Sequence, residues 1–159
     1  MRVHFELNGA QIEADVEPRT TLADCIRHDC RQTGTHLACE HGVCGACTVL
    51  VNGDAVRSCL MLAVQAQGEK VVTVEGLSAD DSLSPLQASF RRHHALQCGF
   101  CTPGFITTAH ALLSNEPDAS EERIRDVLSG NLCRCTGYIP IVEAVLDARS
   151  AYGYKGDQS

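Results

Sequence analysis

Ten cysteines in a chain of 159 residues constrain this protein more than any other feature of its sequence. Eight of them form two groups of four, one in each half: Cys39, Cys44, Cys47 and Cys59, then Cys98, Cys101, Cys133 and Cys135. The first six residues lack the apolar segment of a secretory signal, so we expect a cytoplasmic location. In a reducing compartment, clustered cysteines are metal ligands or buried thiols rather than disulfides.

Composition excludes two broad classes of function. The net charge of -7 argues against a nucleic-acid-binding protein, which would need a basic stripe to contact phosphates. No apolar run reaches the roughly 20 residues that cross a bilayer, so we expect no membrane segment. Hydrophobic residues make up 44% of the chain, which is enough for a packed core.

The first half of the chain is predicted to be rich in β-strands. Apolar and polar residues alternate on both sides of the turn signal Asn8-Gly9, and a second hairpin is predicted at Asn52-Gly53. Thr21 and Asp24 have the spacing of a capping box, which predicts a short helix between the hairpins. A last strand is predicted over 71–74. A small mixed sheet crossed by one helix is the β-grasp arrangement, which we assign to residues 1–76.

The second half is predicted to be helical. The Ser- and Asp-rich stretch 78–84 is predicted to be a linker. A capping box at Ser84 and Gln87 predicts the first helix, and further helices are predicted from Thr102, from 118 or 120 to 129, and from about Pro140. The polar tail is expected to fray from Tyr152 onward. The fold class is therefore α+β, with a four-helix domain over residues 77–159.

The first cysteine group has C-x4-C-x2-C spacing followed by a fourth cysteine across the second hairpin, which is the pattern of plant-type ferredoxins for a [2Fe–2S] cluster. Gly42, Gly45 and Ala46 lack bulk, so their N–H groups can approach cluster sulfurs. A four-cysteine zinc site is the alternative, although zinc ligands usually form two close pairs. We interpret His36 and His41, which flank this loop, as surface or capping residues rather than ligands.

The second cysteine group is ambiguous on spacing alone. Cys98 and Cys101 form a C-x2-C pair and Cys133 and Cys135 a C-x-C pair, each before a predicted helix, where partial positive charge stabilises thiolates. Zinc and an iron–sulfur cluster fit this pattern equally well. The remaining two cysteines, Cys25 and Cys30, belong to neither group and are interpreted as thiols without chemistry.

Three stretches around these cysteines, 38–49, 96–104 and 131–138, resemble the iron–sulfur subunit of the molybdenum hydroxylases. This is the small-subunit family of xanthine oxidase and carbon monoxide dehydrogenase, and the resemblance covers about residues 3–146 in the same order. It implies a plant-ferredoxin-like β-grasp domain followed by a four-helix domain, each binding one [2Fe–2S] cluster through its four cysteines. It also implies that Gln97 and Cys135 contact a molybdopterin.

The resemblance further implies partners. Such subunits carry no substrate site and assemble with a large subunit that binds molybdopterin, often as its cytosine dinucleotide, and a medium subunit that binds FAD, in a dimer of heterotrimers. Electrons would pass from molybdopterin to the helical-domain cluster, then to the ferredoxin-like cluster and on to FAD. The alternative hypotheses are a free-standing two-cluster ferredoxin and a zinc-stabilised assembly module without redox activity.

Overall fold

The first hairpin forms where the alternating pattern predicts it, in a computed structural model that describes residues 1–78 and 82–156. Strand β1 (Arg2–Leu7) pairs antiparallel with β2 (Ala10–Asp15). Asn8 and Gly9 make the turn with φ angles of 51° and 84°, the left-handed region that such tight turns need. The apolar residues of β1 are buried and the alternate ones are at the surface.

The sheet has five strands in the order β2-β1-β5-β3-β4. Strand β3 (Thr48–Val51) pairs antiparallel with β4 (Asp54–Arg57) and with β5 (Lys70–Val72), whereas β1 and β5 run parallel. The predicted mixed sheet is confirmed, but β5 ends at Val72 rather than 74. The reason is that the Asn8 side chain accepts the N–H of Thr73 at 2.9 Å, and a 3₁₀ turn over Val74–Leu77 follows.

The predicted short helix is present in an unusual form. Helix α1 (Leu22–Asp24) passes directly into a single π-helical turn over Cys25–Asp29. Thr21 caps α1 by accepting the N–H of Asp24 at 3.1 Å, but the Asp24 carboxylate accepts the Thr21 hydroxyl instead of closing a capping box. Leu22 and Ile26 are buried against the apolar face of the sheet.

Four longer helices follow, as predicted: α2 (Pro85–Arg92), α3 (Thr102–Asn115), α4 (Glu121–Leu128) and α5 (Ile139–Ala148). Ser84 and Gln87 form the predicted capping box at the start of α2. Part of the predicted linker, residues 79–81, lies outside the described residues. No helix within the described ranges is both long and apolar enough to cross a membrane.

The helices share a hydrophobic core of their own, separate from the core between α1 and the sheet. The prediction that the chain frays from Tyr152 is wrong at Tyr152 and Tyr154. The Tyr152 hydroxyl lies 2.7 Å from Nδ1 of His110, and the Arg149 guanidinium stacks on the Tyr154 ring. These contacts attach the tail to α3 and to the 3₁₀ turn over Arg149–Tyr152 that follows α5; residues 157–159 lie outside the described residues.

Candidate metal centres

The first three cysteines of the N-terminal group lie on the loop that leads into β3, and Cys59 follows β4. Backbone N–H groups of this loop converge on the sulfur of Cys39: that of Cys44 at 3.3 Å, and those of His41 and Val43. Led by the N–H of His41, these donors lower the pKa of Cys39 to about 6. The loop is thus a nest of donors that stabilises negatively charged sulfur.

The four sulfurs of this group fall into two pairs. The thiol of Cys39 interacts with that of Cys44, and the thiol of Cys47 with that of Cys59. The second pair is buried, and burial raises the pKa of Cys59 to about 11 although the N–H of Gly42 points at its sulfur. The Ser58 hydroxyl donates to the carbonyl oxygen of Cys47 at 2.6 Å. This bond joins the two segments of chain that carry Cys47 and Cys59.

Gly45 in this loop and Gly104 in α3 lie where the two halves of the chain meet, and neither position has room for a side chain. A Cβ on Gly45 would lie 2.6 Å from Nδ2 of Asn131 and 2.7 Å from the carbonyl oxygen of Gly130, both in the helical half. A Cβ on Gly104 would collide with the carbonyl oxygen of Gly45. Gly45 and Gly104 therefore allow the two halves to approach backbone to backbone.

The C-terminal group is assembled from two loops. Cys98 lies on the loop after α2 and Cys101 at the N-cap of α3, while Cys133 and Cys135 lie on the loop between α4 and α5. The sulfurs of Cys98 and Cys135 are 3.6 Å apart, and the thiol of Cys101 interacts with that of Cys133. Each pair thus takes one sulfur from each loop.

Only one of these cysteines stands at a helix start. Cys133 and Cys135 lie just before α5, as predicted, but α5 begins at Ile139, so neither cysteine is part of its first turn. Burial would raise the pKa of Cys133, but the Thr136 hydroxyl at 3.2 Å and the N–H groups of Thr136 and Cys135 keep it below the ordinary value. Burial raises the pKa of Cys101 to about 12.

Gln97 lies at the surface beside this second group. Its amide nitrogen donates to the carbonyl oxygen of Cys135 at 3.0 Å, so it joins the two cysteine-bearing loops. Both Cys98 and Cys135 are exposed, which places this pair at the protein surface.

A set of contacts that the sequence did not reveal connects the two groups. The N–H of Leu132 donates to the carbonyl oxygen of Cys44 at 2.9 Å, and Nδ2 of the buried Asn131 donates to that of Gly45 at 3.1 Å. His36 also belongs to this set, because its Nδ1 lies 2.7 Å from the carbonyl oxygen of Phe100 and its ring stacks on that side chain. Nothing in the sequence around Asn131 and Leu132 predicts that these residues donate hydrogen bonds to the first cysteine loop.

Two cysteines remain outside both groups. Cys25 is fully buried in the core under the sheet, and the N–H of Cys30 donates to its carbonyl oxygen at 2.9 Å across the π-helical turn. The two thiols are hydrogen-bonded to each other, which raises the pKa of Cys25 and lowers that of Cys30.

The donor sets fit [2Fe–2S] clusters. Each iron of such a cluster takes two cysteine thiolates, so four sulfurs arranged as two pairs match its two irons. Within the ranges that the structure describes, no three His, Cys, Asp or Glu side chains are grouped around a position for one metal ion.

Comparison with known proteins agrees with this fit. Residues 5–78 match the family described as the 2Fe-2S iron-sulfur cluster binding domain, and residues 73–146 match the [2Fe-2S] binding domain family. The chain is 56% identical to the nicotine 6-hydroxylase small subunit of Paenarthrobacter nicotinovorans over 155 residues, covering 98% of this chain and 93% of that one. It is 51% identical to caffeine dehydrogenase subunit gamma of Pseudomonas sp. (strain CBB1), covering 90% of this chain and 87% of that one.

A solved structure shows the same fold. Quinoline 2-oxidoreductase from Pseudomonas putida 86 contains a chain that superposes with a TM-score of 0.93 at 51% identity, covering 96% of this chain and 95% of that one. The fold and its two cluster-binding domains define an electron-transfer iron–sulfur protein. The chain belongs to the family of iron–sulfur small subunits of the molybdenum hydroxylases, and it is a non-catalytic subunit of an oxidoreductase complex.

Proposed function

We propose that this subunit relays electrons from a molybdopterin on a large subunit to FAD on a medium subunit. In this proposal one [2Fe–2S] cluster is held by Cys39, Cys44, Cys47 and Cys59, and the other by Cys98, Cys101, Cys133 and Cys135. Each cluster, when bound, accepts and releases one electron at a time. The observation that carries the proposal is the pairing of sulfurs in both groups, two for each iron.

The helical group is proposed to receive the electrons. Its Cys98 and Cys135 are exposed, so a cofactor on another chain can come into contact with them. Gln97 is proposed to contact the pterin. One of its amide N–H groups is used by the carbonyl oxygen of Cys135, which leaves the other N–H and Oε1 for a pterin edge that carries both donors and acceptors.

Exposed apolar side chains surround this surface and support a partner there. Leu96, Phe100, Leu132 and Ile139 are between 41% and 58% exposed, and all lie within four residues of a cysteine of this group. Near the other group, Val43 is 56% and Leu60 63% exposed. Apolar side chains beside both centres are what two partner subunits would cover, and we propose the flavoprotein contacts the second of these patches.

Two cysteine variants of the whole complex test the order of transfer. With Cys135→Ser, we expect substrate to reduce neither cluster fully, because the centre nearest the pterin is damaged. With Cys59→Ser, the helical cluster should still be reduced while FAD stays oxidised. Rapid-freeze EPR and flavin absorbance after anaerobic mixing with substrate report both steps. Equal defects at the first step would contradict the order.

Metal analysis tests the clusters themselves. About four irons and four acid-labile sulfides per chain are expected from two [2Fe–2S] clusters. Zinc in place of iron would favour an assembly module instead, and purification without molybdenum- or flavin-containing partners would favour a free-standing ferredoxin.

Gln97→Ala tests the pterin contact. We expect slower reduction of the helical cluster by substrate while iron and sulfide stay at the level of the unaltered complex. A loss of iron would show instead that the bond to Cys135 serves only to hold the two loops together.

The domain boundary at residues 76 and 77, a dimer of heterotrimers and a cytoplasmic location complete the proposal. Sedimentation of the purified complex tests the stoichiometry. Limited proteolysis tests the boundary, since cleavage near residue 77 should give two fragments that each contain one group of four cysteines.

A further inference from the structure

Arg57 occupies an unusual place between the two cysteine groups. It is the last residue of β4 and is half-buried. One guanidinium nitrogen donates to the Thr48 hydroxyl at 2.6 Å, and the other donates to the carbonyl oxygen of Gly130 at 2.6 Å. The side chain therefore spans from the ferredoxin-like half to the loop that carries Cys133.

This cation has no carboxylate partner among the described residues. None of the ion pairs in that part of the chain includes Arg57, and both acceptors of its guanidinium are neutral oxygens. A partly buried charge without a counter-charge is unfavourable. Negative charge from a source other than an acidic side chain would therefore stabilise the Arg57 guanidinium.

The two cysteine groups supply that charge when clusters are bound. A [2Fe–2S] cluster with four thiolates is anionic when oxidised and gains a further negative charge on reduction. Arg57 lies two residues before Cys59, and its partner Thr48 follows Cys47, whereas Gly130 is three residues before Cys133. Arg57 lies opposite Thr48 in the pairing of β3 with β4, whereas its contact with the helical half is to a backbone oxygen, so we expect its charge to act most strongly on the ferredoxin-like group.

Other basic side chains near the two centres are placed differently. Arg134 stands between Cys133 and Cys135 but is exposed, so solvent screens it. His36 and His41 each direct Nδ1 at a backbone carbonyl oxygen, of Phe100 and Cys39 respectively. Among the described residues, Arg57 is the permanently charged side chain that donates hydrogen bonds to both halves.

We propose that Arg57 is a positioning residue whose charge raises the reduction potential of the ferredoxin-like cluster relative to the helical one. Electron transfer from the helical cluster to the ferredoxin-like cluster is then favourable in free energy. This inference rests on the proposed function, because it assumes that both centres are [2Fe–2S] clusters.

A redox titration of the purified complex, followed by EPR of the two clusters, tests this role. Arg57→Gln removes the charge and keeps a hydrogen-bonding amide. Arg57→Lys keeps the charge but loses the guanidinium group, whose two nitrogens donate to Thr48 and Gly130. We expect Arg57→Gln to lower the reduced-to-oxidised ratio of the ferredoxin-like cluster about tenfold at a given potential. For a one-electron centre this corresponds to a reduction potential lower by about 59 mV. Arg57→Lys should shift it much less.

Two controls separate charge from structure. Arg91→Gln removes an exposed arginine on α2 and should leave both potentials unchanged. Thr48→Val removes one bond to the guanidinium but keeps the charge, and should also leave the potentials close to those of the unaltered complex.

The outcomes are distinguishable. Equal shifts in the Gln, Lys and Val variants, no shift in any of them, or loss of iron from both Arg57 variants would overturn the inference and assign Arg57 a purely structural role. Loss of iron from Arg57→Gln alone would support the need for its charge. Absence of two [2Fe–2S] EPR signals from the unaltered complex would overturn the proposed function itself.

Discussion

The backbone N–H of Leu132 donates a hydrogen bond of 2.9 Å to the carbonyl oxygen of Cys44. Leu132 immediately precedes Cys133, so one hydrogen bond and one peptide link join a cysteine of the helical group to a cysteine of the ferredoxin-like group. The Leu132 side chain itself is 51% exposed, so this link depends on the backbone.

Leu132→Pro should slow electron transfer between the two clusters, because proline has no N–H to donate. The lost bond should also lower the free energy of unfolding by about 1 kcal/mol. Leu132→Ala is the matched control, since it removes the side chain but keeps the N–H. Rapid-freeze EPR compares the appearance of the two reduced signals. Equal rates in the two variants would show that this hydrogen bond does not carry the coupling.

Asn131→Ala should destabilise the contact between the two halves. Asn131 is buried, donates to the carbonyl oxygen of Gly45 at 3.1 Å and accepts the Thr108 hydroxyl at 3.1 Å. Its removal leaves the Thr108 hydroxyl buried without this acceptor, at a cost of roughly 2 kcal/mol, whereas the Gly45 carbonyl oxygen still accepts from the N–H and the hydroxyl of Thr48. Asn115→Ala, at an exposed position, should cost little. Thermal unfolding of the two variants would contradict this prediction if their midpoints matched.

Gly45→Ala should be more harmful than Gly53→Ala. Both glycines have positive φ, 75° and 95°, so both variants carry backbone strain of about 1 kcal/mol. Only at Gly45 would the new Cβ also meet Asn131 and the Gly130 carbonyl. We expect Gly45→Ala to lose iron and unfold earlier, while Gly53→Ala keeps its full iron content. Similar iron contents would show that the loop can move aside.

Cys25→Ala should leave both clusters intact. Cys25 is buried under the sheet and hydrogen-bonded to Cys30, not to either cysteine group. The smaller side chain should reduce stability by about 1 kcal/mol through a small cavity. Iron and acid-labile sulfide should match the unaltered protein. Half the iron in this variant would assign Cys25 to a cluster and overturn the ligand set proposed above.

Leu60→Asp should weaken assembly with the flavin-containing partner. Leu60 is 63% exposed, follows Cys59 directly and lies over Gly42 of the first cysteine loop. A carboxylate there would lose its hydration on docking against an apolar surface, which is costly. Leu83→Asp provides the control, since Leu83 is 51% exposed but lies next to α2. Co-purified FAD per chain measures the effect; an equal FAD content in both variants would contradict this interface.

Local sequence signals predicted most of the secondary structure because the interactions behind them are local. Asn8-Gly9 supplies the turn geometry whatever follows it, and Ser84 caps α2 through Gln87, three residues away. The end of β5 was not predictable in this way. It is decided by the Asn8 side chain, which lies 65 residues away in sequence and takes the N–H of Thr73.

The amino-acid sequence alone shows that two groups of four cysteines exist and that they lie in different halves of the chain, and the spacing of the first group favours a [2Fe–2S] cluster. Spacing could not pair Cys98 with Cys135 or Cys101 with Cys133, because each pair joins two loops separated by two helices. Nor could it indicate Arg57 or Asn131, whose partners in the other half of the chain lie 73 and 86 residues away. Only the packing of the two halves, made possible where Gly45 and Gly104 leave room for the backbone, decided how the two groups are connected.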